Sequence, residues 1–302
     1  MSNQTDEQWA FDAYEGVRAR LPLPQFATQW RTADTLADIA QDFDVFLLDA
    51  FGVLNIGETA IEGAAERIRD LRDAGKRVMV VSNAAGYPKR ILMERYRRLG
   101  FDFAPGDIVT SRDALLSELA TRAPMRWGIM ASQRFGMEEL DHLECHFLTE
   151  DPASYEAAQG FLLIGSAEWS QERQELLIAA TRQNPRPVLV GNPDIVAPRE
   201  DGLSREPGFY AHGLADETGI SPEFFGKPFA SIYNLALARL GANPDRNRIL
   251  MVGDTLHTDV LGGRGAGVCT ALVAGYGSLA SSDVGAAITQ SGIVPDYVIQ
   301  RP

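Results

Sequence analysis

Short apolar runs recur along the chain, and stretches with helical periodicity separate them. Residues 45–48 and 78–81 form two such runs, each of a length typical of a strand buried on both faces. Between them, Ile61, Ala64, Ala65, Ile68 and Leu71 recur at helical spacing before a stop at Gly75. Strands that alternate with helices in this way predict a parallel sheet covered by helices on both faces.

The same alternation restarts in the middle of the chain and later returns to the first pattern. Core strands are predicted at 45–48, 78–81, 108–111, 249–252, 269–273 and 297–299, and strands of the middle segment at 127–130, 161–164 and 187–191. Further helices are predicted from Pro88 to Gly100, over 171–183 and after Pro228.

This order predicts one α/β domain interrupted by another. The expected core is a doubly wound, Rossmann-like parallel sheet built from residues 1–123 and 227–302, and an α/β unit at 124–226 is inserted into it. Residues 1–40 read as helical pieces broken at Pro22 and Pro24, which suggests an N-terminal helical extension packed on the core.

The amino-acid composition indicates which classes of partner the charge of the chain disfavours. The 302 residues carry 41 acidic and 28 basic side chains, a net charge of −13. Such a field disfavours nucleic acid and anionic membranes, and an anionic substrate would need local neutralisation. Cys145 and Cys269 have no metal-like spacing and read as incidental thiols. No signal peptide or apolar span is apparent, so a cytoplasmic protein is expected.

Carboxylates follow two of the predicted core strands. Asp49 comes directly after the run at 45–48, and Gly253-Asp254-Thr255 follows the run at 249–252. The carboxyl ends of parallel strands meet at one edge of the sheet, where α/β proteins bind their ligands. Two acidic strand ends therefore suggest a metal-assisted phosphoryl-transfer site.

Four sequence elements in order carry a family resemblance. They are Asp49, Ser82-Asn83, Gly226-Lys227-Pro228, and Asp254 with Asp259. This order resembles the haloacid dehalogenase superfamily over about residues 42–302. The class IIA branch, which includes sugar-phosphate and nucleotide phosphatases, fits best because its α/β cap lies between the second and third elements.

The resemblance implies a role for each acidic residue. Asp49 would be the nucleophile that attacks phosphorus and forms an aspartyl-phosphate. Mg²⁺ would be held by the carboxylates of Asp49 and Asp254 and by the backbone carbonyl of Phe51. Asp259 would be a direct ligand or would support the ligands.

The remaining elements would bind the phosphate and the rest of the substrate. Ser82 and the backbone N–H groups of Asn83 and Ala84 would bind phosphate oxygens, and Lys227 would offset the negative charge between nucleophile and phosphate. In the cap, Asn192-Pro193-Asp194 resembles a class IIA element, so Asn192 and Asp194 are expected to face the substrate. An Asx turn set up by Pro193 is the alternative.

Phe51 departs from the family pattern. Superfamily phosphatases place an Asp there, which protonates the leaving oxygen, and such assistance contributes about 10²–10⁴-fold. Three interpretations stay open: a leaving group that needs no proton, another donor such as His257, or ligand binding without fast turnover. An aromatic residue at this position also resembles the true dehalogenases, but those enzymes lack the metal loop seen here at Asp254 and Asp259.

The sequence thus predicts a Mg²⁺-dependent phosphatase of small phosphorylated metabolites, acting through Asp49. The alternative is a weakly active or non-catalytic sensor of phosphorylated ligands on the same scaffold. No nucleic-acid or membrane partner is expected, and the resemblance admits a homodimer formed through the caps.

Overall fold

The structure is a computed structural model that describes residues 7–199, 202–241 and 244–302. Ten α-helices are formed by the described residues: α1 Glu7–Gly16, α2 Ala64–Asp73, α3 Lys89–Arg98, α4 Ser111–Leu119, α5 Pro152–Glu156, α6 Gln171–Gln183, α7 Pro207–Thr218, α8 Ala230–Arg239, α9 Leu261–Gly265 and α10 Val284–Ser291. A π-helical turn, Leu256–Val260, leads directly into α9.

The strands in the described part of the chain are β1 Arg31–Thr35, β2 Val45–Leu48, β3 Asn55–Ile56, β4 Thr59–Ala60, β5 Arg77–Ser82, β6 Ile108–Thr110, β7 Trp127–Met130, β8 Cys145–Phe147, β9 Gly160–Leu163, β10 Val188–Val190, β11 Val196–Arg199, β12 Gly202–Arg205, β13 Glu223–Phe224, β14 Ile249–Gly253, β15 Cys269–Val273 and β16 Tyr297–Arg301.

The larger sheet has seven strands in the order β1-β16-β15-β14-β2-β5-β6, and all of them are parallel. Its central strands are fully buried because helices cover both faces. After β6 the chain leaves this sheet and returns to it at β14, so β2 and β14 become neighbours although some 200 residues separate them.

A second, five-stranded parallel sheet in the order β13-β10-β9-β7-β8 forms the inserted unit. The sequence predicted three of these strands. It missed β8 and β13, which are short and lack a continuous buried apolar run. The predicted fold class, a doubly wound parallel core with an inserted α/β cap, is confirmed. The domain limits at residues 123/124 and 226/227 stay predictions.

The prediction for residues 1–40 was wrong in one respect. Beyond α1 and a short 3₁₀ turn, Arg31–Thr35 form β1, the edge strand of the larger sheet, paired with β16. The sequence Arg-Thr-Ala-Asp-Thr has no apolar run, because an edge strand with mostly exposed side chains needs none. Periodicity therefore could not reveal it.

β11 and β12 pair as an antiparallel β-hairpin that follows β10. It leads into α7, which packs on α6 within the cap. Among the described residues, no helix is both long and apolar enough to cross a bilayer.

Candidate active site

Asp49 and Asp254 lie side by side because their strands are neighbours. The parallel register pairs Leu48 with Val252, and the Asp49 N–H donates to the Val252 carbonyl at 2.9 Å. Asp254 follows one residue after β14. Both carboxylates therefore emerge at the carboxyl edge of the sheet, where the sequence placed them.

Lys227 connects the predicted nucleophile with the metal loop. Its Nζ lies 2.5 Å from Asp49 Oδ1 and 2.7 Å from Asp259 Oδ1, and the side chain is 2% exposed. Burial alone would lower the pKa of Lys227, but the carboxylates of Asp259 and Asp49 outweigh it and raise that pKa. Lys227 is therefore a fixed cation between two carboxylates.

Three carboxylates converge at this point. Asp49, Asp254 and Asp259 each offer an oxygen within 4.8 Å of the others. Burial, and then the charge of Asp49, raise the pKa of Asp254 to about 6. Burial also raises the pKa of Asp259 well above its usual range, although Lys227 opposes that shift. Three acidic side chains beside one lysine resist full ionisation on their own, and an added cation would favour the ionised form of all three.

Two glycines pack directly against Asp254, and neither leaves space for a side chain at its position. A Cβ on Gly52 would lie 2.4 Å from Asp254 Cγ, and one on Gly277 would lie 2.0 Å from Asp254 Oδ2. Both glycines also have positive φ angles, +74° and +78°. The Ser278 N–H donates to Asp254 Oδ2 at 2.7 Å. Asp254 is thus held in one orientation by backbone groups.

Asn83 joins the core to the cap. Its side-chain Oδ1 accepts from the Lys227 N–H at 2.7 Å, and its Nδ2 donates to the Lys227 carbonyl at 2.9 Å. The same Nδ2 donates to Asp194 Oδ1 at 2.7 Å. Burial raises the pKa of Asp194 to about 7, with Lys227 opposing. Asn83 therefore fixes the lysine backbone and the cap residue at once.

The Asn192-Pro193-Asp194 segment forms an Asx turn and also lines the cavity, so the two interpretations do not exclude each other. Asn192 Oδ1 accepts from the Asp194 N–H at 3.0 Å, which is the Asx turn. Asn192 Nδ2 also donates to Glu206 Oε2 at 3.2 Å, and both Asn192 and Asp194 line the central cavity. The turn is what directs these side chains to the site.

A cavity of about 530 Å³ lies between core and cap. The core contributes Asp49, Phe51, Ser82, Asn83, Ala84 and Asp254 to its wall, and the cap contributes Phe135, Asn192, Asp194, Arg205 and Glu206 among others. The Ser82 Oγ accepts from the Ala84 N–H at 3.3 Å. Every predicted site residue except Lys227 and Asp259 therefore lines one cavity, and those two lie buried against Asp49.

Phe51, two residues after Asp49, lines the cavity. The buried Arg95 guanidinium lies over its ring, 4.9 Å from the centroid. An aromatic ring thus occupies the position at which the family resemblance expects a proton donor.

His257 does not reach the cavity wall. The His257 side chain is 2% exposed, and its Nε2 lies 2.5 Å from Glu15 Oε1. Its ring stacks on the ring of Tyr14, with 5.1 Å between the two centroids. Burial lowers the pKa of His257, and Glu15 opposes that shift. Helix α1 therefore covers this histidine, and the hypothesis that His257 replaces the missing acid is wrong for this arrangement.

Sequence reasoning missed Tyr14 and Arg205 as cavity residues. The Tyr14 hydroxyl accepts from the Ile195 N–H at 3.1 Å, next to Asp194, and Tyr14 itself lines the cavity. Its only signal in the sequence is a place on an amphipathic helix with Phe11, and that pattern is equally typical of packing alone.

A parallel α/β core, an inserted α/β cap and an aspartate–lysine centre between them define a capped α/β hydrolase. Family models agree: the haloacid dehalogenase-like hydrolase model matches residues 46–144, and a HAD-hydrolase-like model matches residues 224–300. Together they span more than half of the chain and leave out most of the cap. The chain belongs to the haloacid dehalogenase-like hydrolases, and its structural neighbours are the class IIA phosphatases that the sequence predicted.

Individual relatives and solved structures are similar to this chain over most of its length. The acid sugar phosphatase of Staphylococcus aureus is 28% identical over 233 residues, which are 76% of this chain and 86% of that protein. A p-nitrophenyl phosphatase from Archaeoglobus fulgidus is 27% identical with a TM-score of 0.71, covering 86% and 97% of the two chains. A glycerol phosphate phosphatase from Mycobacterium tuberculosis, in complex with magnesium, shares the fold at 23% identity and a TM-score of 0.68, covering 86% and 75%.

Proposed function

We propose that this protein is a Mg²⁺-dependent phosphatase of small phosphorylated metabolites that forms an aspartyl-phosphate on Asp49. The observation that carries the proposal is the bridge from Lys227 Nζ to Asp49 Oδ1 at 2.5 Å and to Asp259 Oδ1 at 2.7 Å. A carboxylate held beside a buried cation, at the floor of a cavity, can approach an anionic phosphate without prohibitive repulsion.

The chemistry needs two displacements. An Asp49 oxygen forms a bond to phosphorus while the bond to the leaving oxygen breaks, and the leaving oxygen takes the electron pair; a basic alkoxide then takes a proton from solvent water, because Phe51 has none to give. Water then attacks phosphorus and releases a proton to solvent, the bond to Asp49 breaks, and inorganic phosphate and the free carboxylate remain. Lys227 offsets negative charge in both steps, and Ser82 with the following backbone amides would hold the phosphate oxygens.

The carboxylates of this site fit a hard divalent cation. Oxygen donors from Asp49, Asp254 and Asp259 converge within 4.8 Å, and backbone groups orient Asp254. Asp49 and Asp254 would hold Mg²⁺ with the Phe51 carbonyl, and Asp259 would serve as a ligand or orient Lys227. When bound, the cation supplies positive charge beside the nucleophile and the phosphate.

Metal binding should be measurable without turnover. Mg²⁺ at about 100 times its dissociation constant stabilises a protein by about 2.7 kcal/mol, because it binds the folded chain only. We expect a higher melting temperature for the wild type in Mg²⁺ than in EDTA, a much smaller difference for Asp254→Asn, and loss of phosphate release in EDTA. Potassium chloride at matched ionic strength is the control. Equal stabilisation of both proteins would exclude Asp254 as a ligand.

Phe51 predicts a strong dependence on the leaving group. A site that lacks the usual acid should cleave acetyl phosphate and p-nitrophenyl phosphate well and sugar phosphates poorly, by about 10²–10⁴-fold. The measurement is kcat/KM across a panel graded by leaving-group pKa. A flat profile would show that another residue donates the proton, and Asp194, with a pKa raised to about 7, would be the next residue to test.

The same observation at Phe51 supports the second candidate, a sensor of phosphorylated ligands. An aromatic ring over which Arg95 is packed cannot exchange a proton with a leaving group. The sensor reading requires that the wild type bind phosphorylated metabolites and release phosphate from none of the panel.

A further inference from the structure

Arg205 contributes a positive charge to the cap side of the cavity. It is the one lysine or arginine among the described residues that line this cavity, and it pairs with no carboxylate in the described part of the chain. Its backbone is fixed, since the Ser166 Oγ donates to the Arg205 carbonyl at 2.7 Å. The guanidinium is therefore available to a ligand.

Two aromatic rings hold this guanidinium in place. Arg205 Cζ lies 4.7 Å from the ring centroid of Phe209 on α7 and 5.5 Å from that of Trp9 on α1. The two rings contact each other at 5.8 Å between centroids. Stacking fixes the plane of an arginine and leaves its edge donors free for bidentate contact with a carboxylate or phosphate.

The rest of the wall would repel a second negative charge on a substrate. The ionisable acidic residues that line the cavity are Asp49, Asp194, Glu206 and Asp254. Lys227 is engaged by Asp49 and Asp259, beneath the phosphate site. Among the residues whose side chains the structure describes, Arg205 is therefore the cation without a carboxylate partner that a ligand group meets on the cap side.

We propose that Arg205 is a second anion-binding element of this cavity, which selects phosphate esters whose leaving group carries a further negative charge such as a carboxylate. The inference rests on the proposed phosphatase function and names its substrate class. It also gives α1 a part in selection, because Trp9 belongs to the N-terminal extension and positions the arginine.

The test compares two esters that differ in one group. In 3-phosphoglycerate a carboxylate replaces the hydroxymethyl group of glycerol 3-phosphate. We expect the wild type to prefer 3-phosphoglycerate, and Arg205→Gln to lower its kcat/KM by about tenfold, mainly through KM, as for one partly exposed charge-assisted contact. The loss for glycerol 3-phosphate should stay below about twofold, since that ester offers no second charge.

Three further variants separate positioning from general damage. Arg205→Lys keeps the charge but loses the planar stack, so an intermediate loss is expected for the carboxylate ester. Trp9→Leu should raise KM for that ester without changing kcat. Arg134→Gln is the matched control, because Arg134 also lies over a cap aromatic, Phe135, but does not line the cavity. Equal losses on both esters, or none in Arg205→Gln, would overturn the proposal.

Binding to the Asp49→Asn protein distinguishes this inference from the phosphatase proposal. Calorimetry should show tighter binding of 3-phosphoglycerate than of glycerol 3-phosphate, and Arg205→Gln should remove the difference. If that holds while the wild type cleaves neither ester, the anion site stands and the phosphatase proposal fails. If both esters are cleaved without any dependence on Arg205, the phosphatase stands and the anion site is wrong.

Discussion

Replacing Asp49 by Asn should abolish phosphate release while leaving ligand binding intact. The amide has nearly the same shape but cannot act as the nucleophile, and removal of a catalytic nucleophile lowers kcat by roughly 10⁴-fold or more. The side chain keeps an oxygen near Lys227 Nζ, which lies 2.5 Å from Asp49 Oδ1. We expect acetyl phosphate hydrolysis to fall to the background rate.

Trapping of the intermediate makes this test specific. Wild-type protein quenched during turnover should carry one labelled phosphate that hydroxylamine releases, as expected of an acyl phosphate, and Asp49→Asn should carry none. Asp70→Asn is a suitable control, because Asp70 is an exposed carboxylate on α2 that pairs with Arg67. Wild-type rates in Asp49→Asn would rule out the aspartyl-phosphate route.

Replacing Lys227 by Met should cost both activity and stability. Loss of a preorganised positive group at the phosphate lowers kcat by about 10²–10³-fold. Removal of the lysine also leaves Asp49 and Asp259 buried without their cation, and breaking such a buried pair costs about 3–5 kcal/mol. We expect the urea midpoint to fall most in EDTA, with Mg²⁺ recovering part of the loss.

A half-buried lysine outside the site provides the control for this variant. The Lys76 side chain is 18% exposed, and its Nζ donates to the Phe43 carbonyl at 2.6 Å and lies 3.8 Å from Asp44, which is 56% exposed, so water screens that ion pair. Lys76→Met should change the free energy of unfolding by no more than about 1 kcal/mol. If Lys227→Met and Lys76→Met behaved alike, Lys227 would have no special role in the centre.

The sequence predicted the parts of the molecule that show hydrophobic periodicity or a family-like order of motifs. Continuous apolar runs identified β2 and β14, so the approach of Asp49 and Asp254 could be predicted from strand ends alone. The order of the four family motifs identified Lys227 as a site residue, although no local pattern around residue 227 indicates that role. The sequence offered an Asx turn and a substrate-facing position as alternatives for Asn192. In the structure Asn192 forms the turn and also lines the cavity.

The sequence could not predict contacts between polar or amphipathic segments that are far apart along the chain. Trp9 and Arg205 meet although 196 positions separate them, and neither has a pattern that points to the other. His257 has the same difficulty: its place in the metal loop suggests exposure, while Glu15 and Tyr14 cover it from α1. Tertiary packing decides such cases, and local periodicity carries no information about it.

The pairing of β1 with β16 has a consequence for how the chain is made. Arg31 aligns with Tyr297, so this edge strand leaves the ribosome some 260 residues before its partner. β14 and β15, which lie between β16 and β2 in the sheet, are also late. Such long-range pairings close slowly. During synthesis β1 therefore stays unpaired in this sheet until β16 has emerged.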